Sequence, residues 1–404
     1  MNDMFGNNVT TASPAALHHY DHAVDAHLHA WPGVLESVES ALAEAPDFAL
    51  AHALKAFVLV GRGLRPQALE AIAHAQANTN RTLPRERSHV ELVTAIVEGR
   101  ARDALAKVII HAQLHPTDAL SASTALGAYG LLAFSGQADH DAARLKFTEA
   151  LAPHFPSEFP WLMAYRGWAR IEAGQVDEGL AMARRAIALR PNNGHNAHVV
   201  MHGLFESNEP EASIEFIDDW LLGYPDDALM WGHLHWHGAL AEIELGQLDA
   251  AVTRLVGPMT AHLPRGTPYM GLMDIGSLLW RLGLCGVEGL PWKIAHAHAE
   301  HHFPSGSNVF GELHLTMLAA ARSDRHGLDA ALQRLERLSE GGHAGAPVAL
   351  RWAQALIALL DHDRALAWDH LSACSKESVR LGGSHAQRSI VEQTRDALRL
   401  PVAN

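Results

Sequence analysis

Alanine and leucine recur every three to four residues along most of the 404-residue chain. This period is that of an amphipathic α-helix, which buries one face and exposes the other. The β-branched alternation that marks strands is nearly absent. The hydrophobic pattern therefore predicts an all-α protein.

Short turn signals interrupt the helical pattern at nearly constant spacing. Each has a small or turn-forming residue, followed two to five residues later by an acidic residue, as expected where one helix ends and its partner begins. The signals are centred on Gly99, Gly136, Gly174, Asn208 and Gly246, at steps of 37, 38, 34 and 38 residues. A period in this range is typical of a helix-turn-helix solenoid.

Prolines mark the other turn of each repeat. Pro116, Pro191 and Pro225 each follow an apolar helix end, where proline stops one helix and opens the next. Residues 160–193 resemble a tetratricopeptide repeat through Gly167, Gly174, Ala186 and Pro191. The chain departs from that repeat at Gly179, where alanine is usual, and at Ala183, where a large aromatic residue is usual.

The resemblance implies a tetratricopeptide-like α-solenoid, a right-handed superhelix closed around a central pocket. We interpret residues 1–404 as a single helical-repeat domain, with N-terminal helices at 14–80, central repeats at 84–258 and C-terminal repeats at 266–400. Several segments also resemble the tetratricopeptide repeat protein 38 family, which implies the same fold. They include PRERSHVELVTAIVEG, HPTDALSA, HVVMH, WGHLHWHGAL, MDIGSLLWRL, GELHLTML and LGGSHAQRSI. One departure is Phe205, where family members tend to carry an acidic residue.

Composition and charge exclude several classes of protein. The 45 acidic against 31 basic residues give a net charge of −14, and no Lys/Arg-rich stripe is present, so a nucleic-acid partner is disfavoured. Two cysteines are too few for a disulfide framework. No apolar run is long enough for a membrane span and no signal peptide begins the chain, so we expect a cytoplasmic protein. Phosphate-binding loops, dinucleotide fingerprints, serine-hydrolase elbows and HExxH motifs are missing.

Histidines carry the candidate chemistry. His198 and His202 lie one turn apart on one predicted helix, and His233 and His237 lie one turn apart on the next. In a tetratricopeptide frame, the first helix of each repeat lines the concave surface, and His195, His198, His202, His233 and Trp236 fall on that surface. We therefore expect the two pairs to converge on one ion or ligand.

Acidic and polar residues downstream extend this candidate site. Asp274 and Glu312 stand in apolar helices, where a carboxylate needs a partner. Imidazole nitrogen and carboxylate oxygen are ligands that Zn, Fe or Mn accept. The predicted metal ligands are His198, His202, His233, His237 and Glu312. The predicted catalytic residues are His202, His237 and Asp274. The predicted substrate-binding residues are His195, Trp236, His314 and Arg388.

Two functions of different class remain open from the sequence. In the first, the histidine- and carboxylate-lined pocket binds or transforms a small molecule, as in a metal-dependent hydrolase. In the second, the chain is a scaffold whose groove accepts a peptide or a partner helix. Peptide-clamping grooves usually present Lys, Arg and Asn, whereas this one presents His, Trp and acids, which favours the pocket. A homo-oligomer is compatible with either function.

Overall fold

A computed structural model describes residues 1–399 of the chain. Within that range the regular structure is helical, apart from an isolated β-bridge between Asn2 and Asn8. The α-helices are α1 (Pro14–Leu28), α2 (Val34–Glu44), α3 (Ala49–Gly61), α4 (Arg65–Ala77), α5 (Pro84–Val97), α6 (Ala101–Leu114), α7 (Ala119–Ser123), α8 (His140–Leu151), α9 (Pro160–Glu172), α10 (Val176–Leu189), α11 (Gly194–Glu206), α12 (Pro210–Leu221), α13 (Trp231–Glu244), α14 (Leu248–Arg254), α15 (Thr260–His262), α16 (Pro268–Leu284), α17 (Trp292–His302), α18 (Val309–Ala321), α19 (Arg325–Glu340), α20 (Ala346–Leu360), α21 (Arg364–Lys376), α22 (His385–Arg388) and α23 (Ile390–Ala397). Short 3-10 segments lie at Thr79–Arg81, Ala133–Ser135, Ala152–His154 and Ser378–Leu381, and a π-helical segment lies at Leu255–Met259.

The chain divides into two compact units. Unit 1 comprises Met1–Leu132, Asp141–Gly203 and Leu221–Met230, and unit 2 comprises Ala133–His140, Leu204–Trp220 and Trp231–Asn404. The boundaries predicted for a single domain stay a prediction.

Both units are built from helix pairs. In unit 1, α1 packs on α2, α3 on α4, α5 on α6 and α9 on α10, and α3 also packs on α5. In unit 2, α13 packs on α14, α16 on α17, α18 on α19 and α20 on α21, while α13, α16, α18 and α20 pack in succession. A first helix that contacts its own partner and the next first helix is the packing unit of helical-repeat proteins. The predicted all-α helical-repeat fold is confirmed.

The predicted turns fall between helices as the sequence indicated. Gly99, Gly136, Gly174, Asn208 and Gly246 all have positive φ, between 55° and 83°. The same left-handed geometry ends α18 at Ser323 (φ 56°) and α20 at His362 (φ 59°), although neither residue type signals a turn. A residue in the left-handed conformation therefore follows the first helix of a pair and begins the short loop. Glycine is the residue most often found there.

The repeat around Gly136 is less regular than predicted. Only α7 precedes it, and residues 124–139 form turns and a short 3-10 segment instead of a long first helix. Gly127 has a φ of 87°, which interrupts the helix, and the Leu131 amide donates to the Thr124 carbonyl at 3.0 Å across the resulting turn. The expectation of a complete helix pair here was wrong, because glycines inside the first helix redirect the backbone.

The N-terminal segment is fastened to α5 by one carboxylate. Glu86 accepts the Leu83 amide through Oε2 at 2.9 Å and the Thr10 amide through Oε1 at 2.8 Å. The first contact caps the helix that begins at Pro84. The second contact holds the N-terminal segment at Thr10, which is 76 residues away in the sequence.

Replacing Glu86 with alanine is expected to lower the free energy of unfolding by about 1–2 kcal/mol, since it leaves two backbone amides without their acceptor. Urea unfolding of the full chain measures this loss. Glu91→Ala on the same helix is the matched control, because Glu91 only meets Lys107 at the surface, at 3.3 Å, and such pairs contribute little. Equal effects of the two substitutions would show that Glu86 does not fasten the segment.

Candidate functional site

The start of α11 is fixed by two asparagines. Asn193 Oδ1 accepts the Asn196 amide at 3.1 Å, which caps the helix, and Asn196 Nδ2 donates to the carbonyl of Ala186 on α10 at 2.9 Å. Both asparagines are buried. These contacts set the rotation of α11 and therefore the direction in which its histidines point.

The two histidines of α11 point their Nε2 atoms at each other. The atoms of His198 and His202 are 2.9 Å apart, and both side chains are buried. On the other side of its ring, His202 Nδ1 lies 3.4 Å from Glu172 Oε1, at the end of α9, and neither side chain is exposed. The ring of Trp168 lies beside both imidazoles. The pair predicted from the i, i+4 spacing is therefore formed, with a buried carboxylate beside it.

His195 lies apart from this pair by one turn of α11. It is half-buried, and its ring centroid is 5.9 Å from that of Tyr165. Its predicted substrate-binding role stays a prediction.

In unit 2 a second histidine is held by a carboxylate. His233 Nδ1, on α13, lies 2.8 Å from Asp274 Oδ1 on α16. One turn further along the same two helices, Trp236 Nε1 donates to Ser277 Oγ at 3.0 Å. Both contacts join residues 41 positions apart, so two successive first helices are matched in register at this point.

Aromatic packing completes the α13 cluster. The His233 ring stacks on Trp236 with an interplanar angle of 11°, and His237 approaches both rings edge-on at 4.9 Å. All three side chains are buried, with at most 3% of their surface exposed. They form a packed layer of unit 2, and the concave surface predicted for His233 and Trp236 stays a prediction.

The neighbouring carboxylates determine which ring nitrogen of these imidazoles carries the proton. A carboxylate next to Nδ1 favours the tautomer with the proton on Nδ1, which leaves a lone pair on Nε2 for a metal ion or an acidic proton. His233 with Asp274 has this arrangement at hydrogen-bonding distance, and His202 with Glu172 has a looser version of it.

Glu312 is engaged elsewhere. Its two oxygens accept from Arg334 at 2.8 and 2.9 Å, and Oε1 also accepts the Ser307 amide at 2.7 Å. The side chain is fully buried in this ion pair. A carboxylate whose two oxygens both accept from one guanidinium is a poor metal ligand, and the metal-binding role of Glu312 stays a prediction.

The remaining predicted residues of unit 2 lie near a buried arginine. His314 Nδ1 faces the Phe310 carbonyl at 2.9 Å, and burial, reinforced by the charge of Arg281, lowers the pKa of His314 to about 3. Arg281 is itself buried, which lowers its pKa to about 9, and it donates to the Ala386 carbonyl at 2.9 Å. Arg388 donates to the Gly383 carbonyl at 2.6 Å. The substrate-binding roles assigned to His314 and Arg388 stay predictions.

Sequence reasoning missed the partners of the histidines. Glu172, Ser277 and Arg281 were not identified. Glu172 lies on α9, which the sequence does not mark as part of the site. Ser277 and Arg281 lie on α16 with Asp274, which the sequence did mark, but nothing in the sequence singles out these two positions. The 41-residue offset between α13 and α16 could have identified Ser277 opposite Trp236. Glu206, which stands beside Phe205, binds His385 Nδ1 at 2.8 Å.

Comparison with known proteins gives no family assignment. No protein-family model matches the chain. Among solved structures, the human IFIT1 dimer with PPP-AAAA is 14% identical, with 98% of this chain and 87% of that chain covered and a TM-score of 0.44. The P58(IPK) TPR domain is 14% identical, with 96% and 90% covered and a TM-score of 0.25. Yeast Tom70 is 13% identical, with 94% and 81% covered and a TM-score of 0.37. Membership of the tetratricopeptide repeat protein 38 family stays a prediction.

The sequence predicts no membrane-spanning segment, and the length and apolar character of the helices test this prediction. None of the helices within residues 1–399 combines the length and the apolar character needed to cross a lipid bilayer.

Proposed function

We propose that this chain is a ligand-binding helical-repeat protein in which the buried pairs His198/His202, in unit 1, and His233/His237, in unit 2, each bind a divalent transition-metal ion. The main support is the contact of 2.8 Å between His233 Nδ1 and Asp274 Oδ1, both buried. Metal-binding histidines usually donate their second ring N–H to such a carboxylate, which orients the ring and raises its basicity.

The residues present fit Zn, Fe or Mn. Imidazole nitrogens bind all three, and two of them one turn apart on a helix share one face. Glu172 beside His202 adds a second buried carboxylate in the orienting position. A bound ion would supply Lewis acidity towards an oxygen of a small-molecule ligand. Hydrolysis of a small-molecule substrate is the enzymatic form of this proposal.

Elemental analysis of the purified chain after dialysis against Zn²⁺ measures the binding. We expect a stable zinc content in the wild-type chain and a content lower by at least one equivalent in the His202→Ala/His237→Ala double variant. Asp274→Asn, which keeps an oxygen opposite His233 but removes the charge, is expected to weaken affinity about 10- to 100-fold. His22→Ala, at an exposed position on α1, is the control and should leave the zinc content unchanged.

An unchanged zinc content in the double variant, with an unchanged circular dichroism spectrum, would contradict metal binding at these pairs. A wild-type chain that takes up no ion would contradict it as well. Activity against ester and phosphoester substrates tests hydrolysis separately, because an ion can bind without supporting turnover.

The second candidate is a protein scaffold, and the helical-repeat fold favours it. Successive first helices of such folds form extended surfaces that bind peptides or partner proteins. On α6, Ile110 and Leu114 lie one turn apart and are 56% and 68% exposed. Native mass spectrometry of the chain purified from its own cells tests this function: a stoichiometric polypeptide partner that is lost in Ile110→Asp/Leu114→Asp would support it, and a chain that carries none would count against it.

A further inference from the structure

A second cluster of histidine and aspartate lies in unit 1, on helices that the histidine pairs above do not share. His89 belongs to α5, His111 to α6, and Asp118 is the N-terminal cap of α7. All three side chains are buried, with 1%, 1% and 4% of their surface exposed. Three separate helices thus bring two imidazoles and one carboxylate to the same buried point.

The ligand atoms are spaced as around a small cation. Asp118 Oδ2 lies 3.1 Å from His89 Nδ1 and 3.2 Å from His111 Nε2, and all three atoms lie within 4.8 Å of one another. With metal–ligand bonds of about 2.0–2.2 Å and tetrahedral angles, neighbouring ligand atoms are about 3.3–3.5 Å apart. Both contacts of Asp118 Oδ2 are within a few tenths of an ångström of that spacing.

The surrounding contacts orient each ligand. Asp118 Oδ1 accepts the Ser121 amide at 3.1 Å, so that Oδ2 is left to face the histidines. His111 Nδ1 lies 2.9 Å from Ser88 Oγ, which can accept its proton and leave Nε2 as a lone-pair donor. Ser121 Oγ, 2.7 Å from His89 Nδ1, adds a fourth polar atom to the cluster.

If hydrogen bonds alone hold the cluster together, Asp118 Oδ2 faces more donors than it has lone pairs. Asp118 Oδ2 faces three nitrogens, because Arg85 Nη1 also lies 2.7 Å from it. A carboxylate oxygen offers about two lone-pair sites, so three N–H donors exceed them. A cation shared with the two histidines removes this excess, since Arg85 then takes one site and the ion takes the other.

The local charges also accommodate an ion. Asp118 forms an ion pair with Arg85, with 2.7 Å between Oδ2 and Nη1. Arg85 has a second acidic neighbour in Asp3, at 3.8 Å. Two carboxylates against one guanidinium leave a net negative charge when both imidazoles are neutral.

We propose that His89 Nδ1, His111 Nε2 and Asp118 Oδ2 bind one divalent transition-metal ion of the zinc type in unit 1. Each imidazole keeps its proton on the other ring nitrogen, and any proton on the ligating atom is released on binding. The site is independent of the histidine pairs of α11 and α13, and the proposal does not rest on the function proposed above.

The experiment uses the full-length His202→Ala/His237→Ala chain, so that zinc bound at the other pairs does not contribute. Metal-free protein is titrated with Zn²⁺ and, in parallel, with Co²⁺, whose visible absorption reports the coordination geometry. One equivalent per chain is expected, with a rise in melting temperature.

Adding Asp118→Asn to this background is expected to remove that equivalent. Asparagine is also a good helix cap and keeps an oxygen for the Ser121 amide, so α7 retains its start. His111→Gln gives an independent second test. His115→Gln is the control, because its ring lies 5.1 Å from that of His111 but is not part of the cluster.

Each outcome decides the proposal. Loss of the equivalent in Asp118→Asn or His111→Gln but not in His115→Gln supports it. A folded background chain that binds neither ion, or folded Asp118→Asn and His111→Gln variants that keep the full equivalent, would overturn it. Failure of the function proposed above would leave zinc uptake identical in the wild-type and background chains, which is a different result.

Discussion

Replacing Gly179 with alanine is expected to lower the free energy of unfolding by about 2 kcal/mol, although alanine is the better helix former. A Cβ at position 179 would lie 2.5 Å from the Gly167 carbonyl oxygen and 2.6 Å from Ile171 Cγ1. One of these atoms is backbone on the facing helix, so α9 and α10 must separate. Overpacking of this kind usually costs about 1–3 kcal/mol and sometimes more, which outweighs the gain of up to about 1 kcal/mol in helix propensity.

The matched control is Gly276→Ala in the interior of α16. A Cβ there would meet only Leu318 Cδ2, at 3.8 Å, which is an ordinary contact. We therefore expect Gly276→Ala to stabilise the chain by about 0.5–1 kcal/mol. Thermal and urea unfolding of both variants measure the two changes. If both substitutions destabilise the chain, or neither does, the contact of Gly167 with Gly179 does not determine whether alanine raises or lowers the free energy of unfolding.

The same glycine pair shows how far the repeat signature can predict packing. The sequence marked Gly179 as a departure from the tetratricopeptide repeat, but a single position gives no reason for it. In the fold, Gly167 and Gly179 face each other, and a Cβ on either one would meet the backbone of the other at 2.5–2.8 Å. A small residue is required by the partner helix, and that requirement is visible only when both helices are placed.

Turn positions were predictable because they depend on local conformation. Gly174 and Gly246 signal a left-handed residue by their type, and both adopt one. Ser323 and His362 adopt the same conformation, although neither position was predicted as a turn. The prediction for residues 124–139 was wrong. Their composition is that of a helix, but Gly127 interrupts it with a left-handed residue.

The candidate sites were predictable only in part. The i, i+4 rule brings His198 next to His202, because the geometry of one helix decides it. The carboxylates that lie beside the histidines come from other helices, Glu172 beside His202 and Asp274 beside His233, so these contacts depend on the packing angle and register between helices. The cluster of His89, His111 and Asp118 combines three helices, and neither spacing nor composition in the sequence identifies it.

Acidification is expected to destabilise unit 2 through His314. Burial, first of all, and then the nearby Arg281 charge lower the pKa of His314 to about 3, while its hydrogen bond to the Phe310 carbonyl opposes them. In the unfolded chain the pKa is about 6.5. The unfolded state therefore binds a proton first as the pH falls, so the stability contribution is complete above pH 6.5 and is lost progressively towards pH 3.

Between pH 6.5 and 4.5 this linkage corresponds to about 2–3 kcal/mol of unfolding free energy. His314→Gln removes the titration but keeps an N–H group that can reach the Phe310 carbonyl. Wild-type protein should therefore lose about 2–3 kcal/mol more than His314→Gln over this range, measured by urea unfolding at several pH values. Because other groups titrate in both proteins, only the difference between them isolates His314.

His22→Gln is the control for this comparison, since His22 is exposed on α1 and its replacement should leave the pH dependence close to that of the wild type. Parallel curves for the wild type and His314→Gln would mean that His314 gains a proton in the folded state as readily as in the unfolded one. A charged imidazole beside the buried Arg281 would then need an anionic neighbour. A steeper loss in the wild type instead means that the neutral imidazole, with Nδ1 directed to the Phe310 carbonyl, is the form that the packing of α16 against α18 selects.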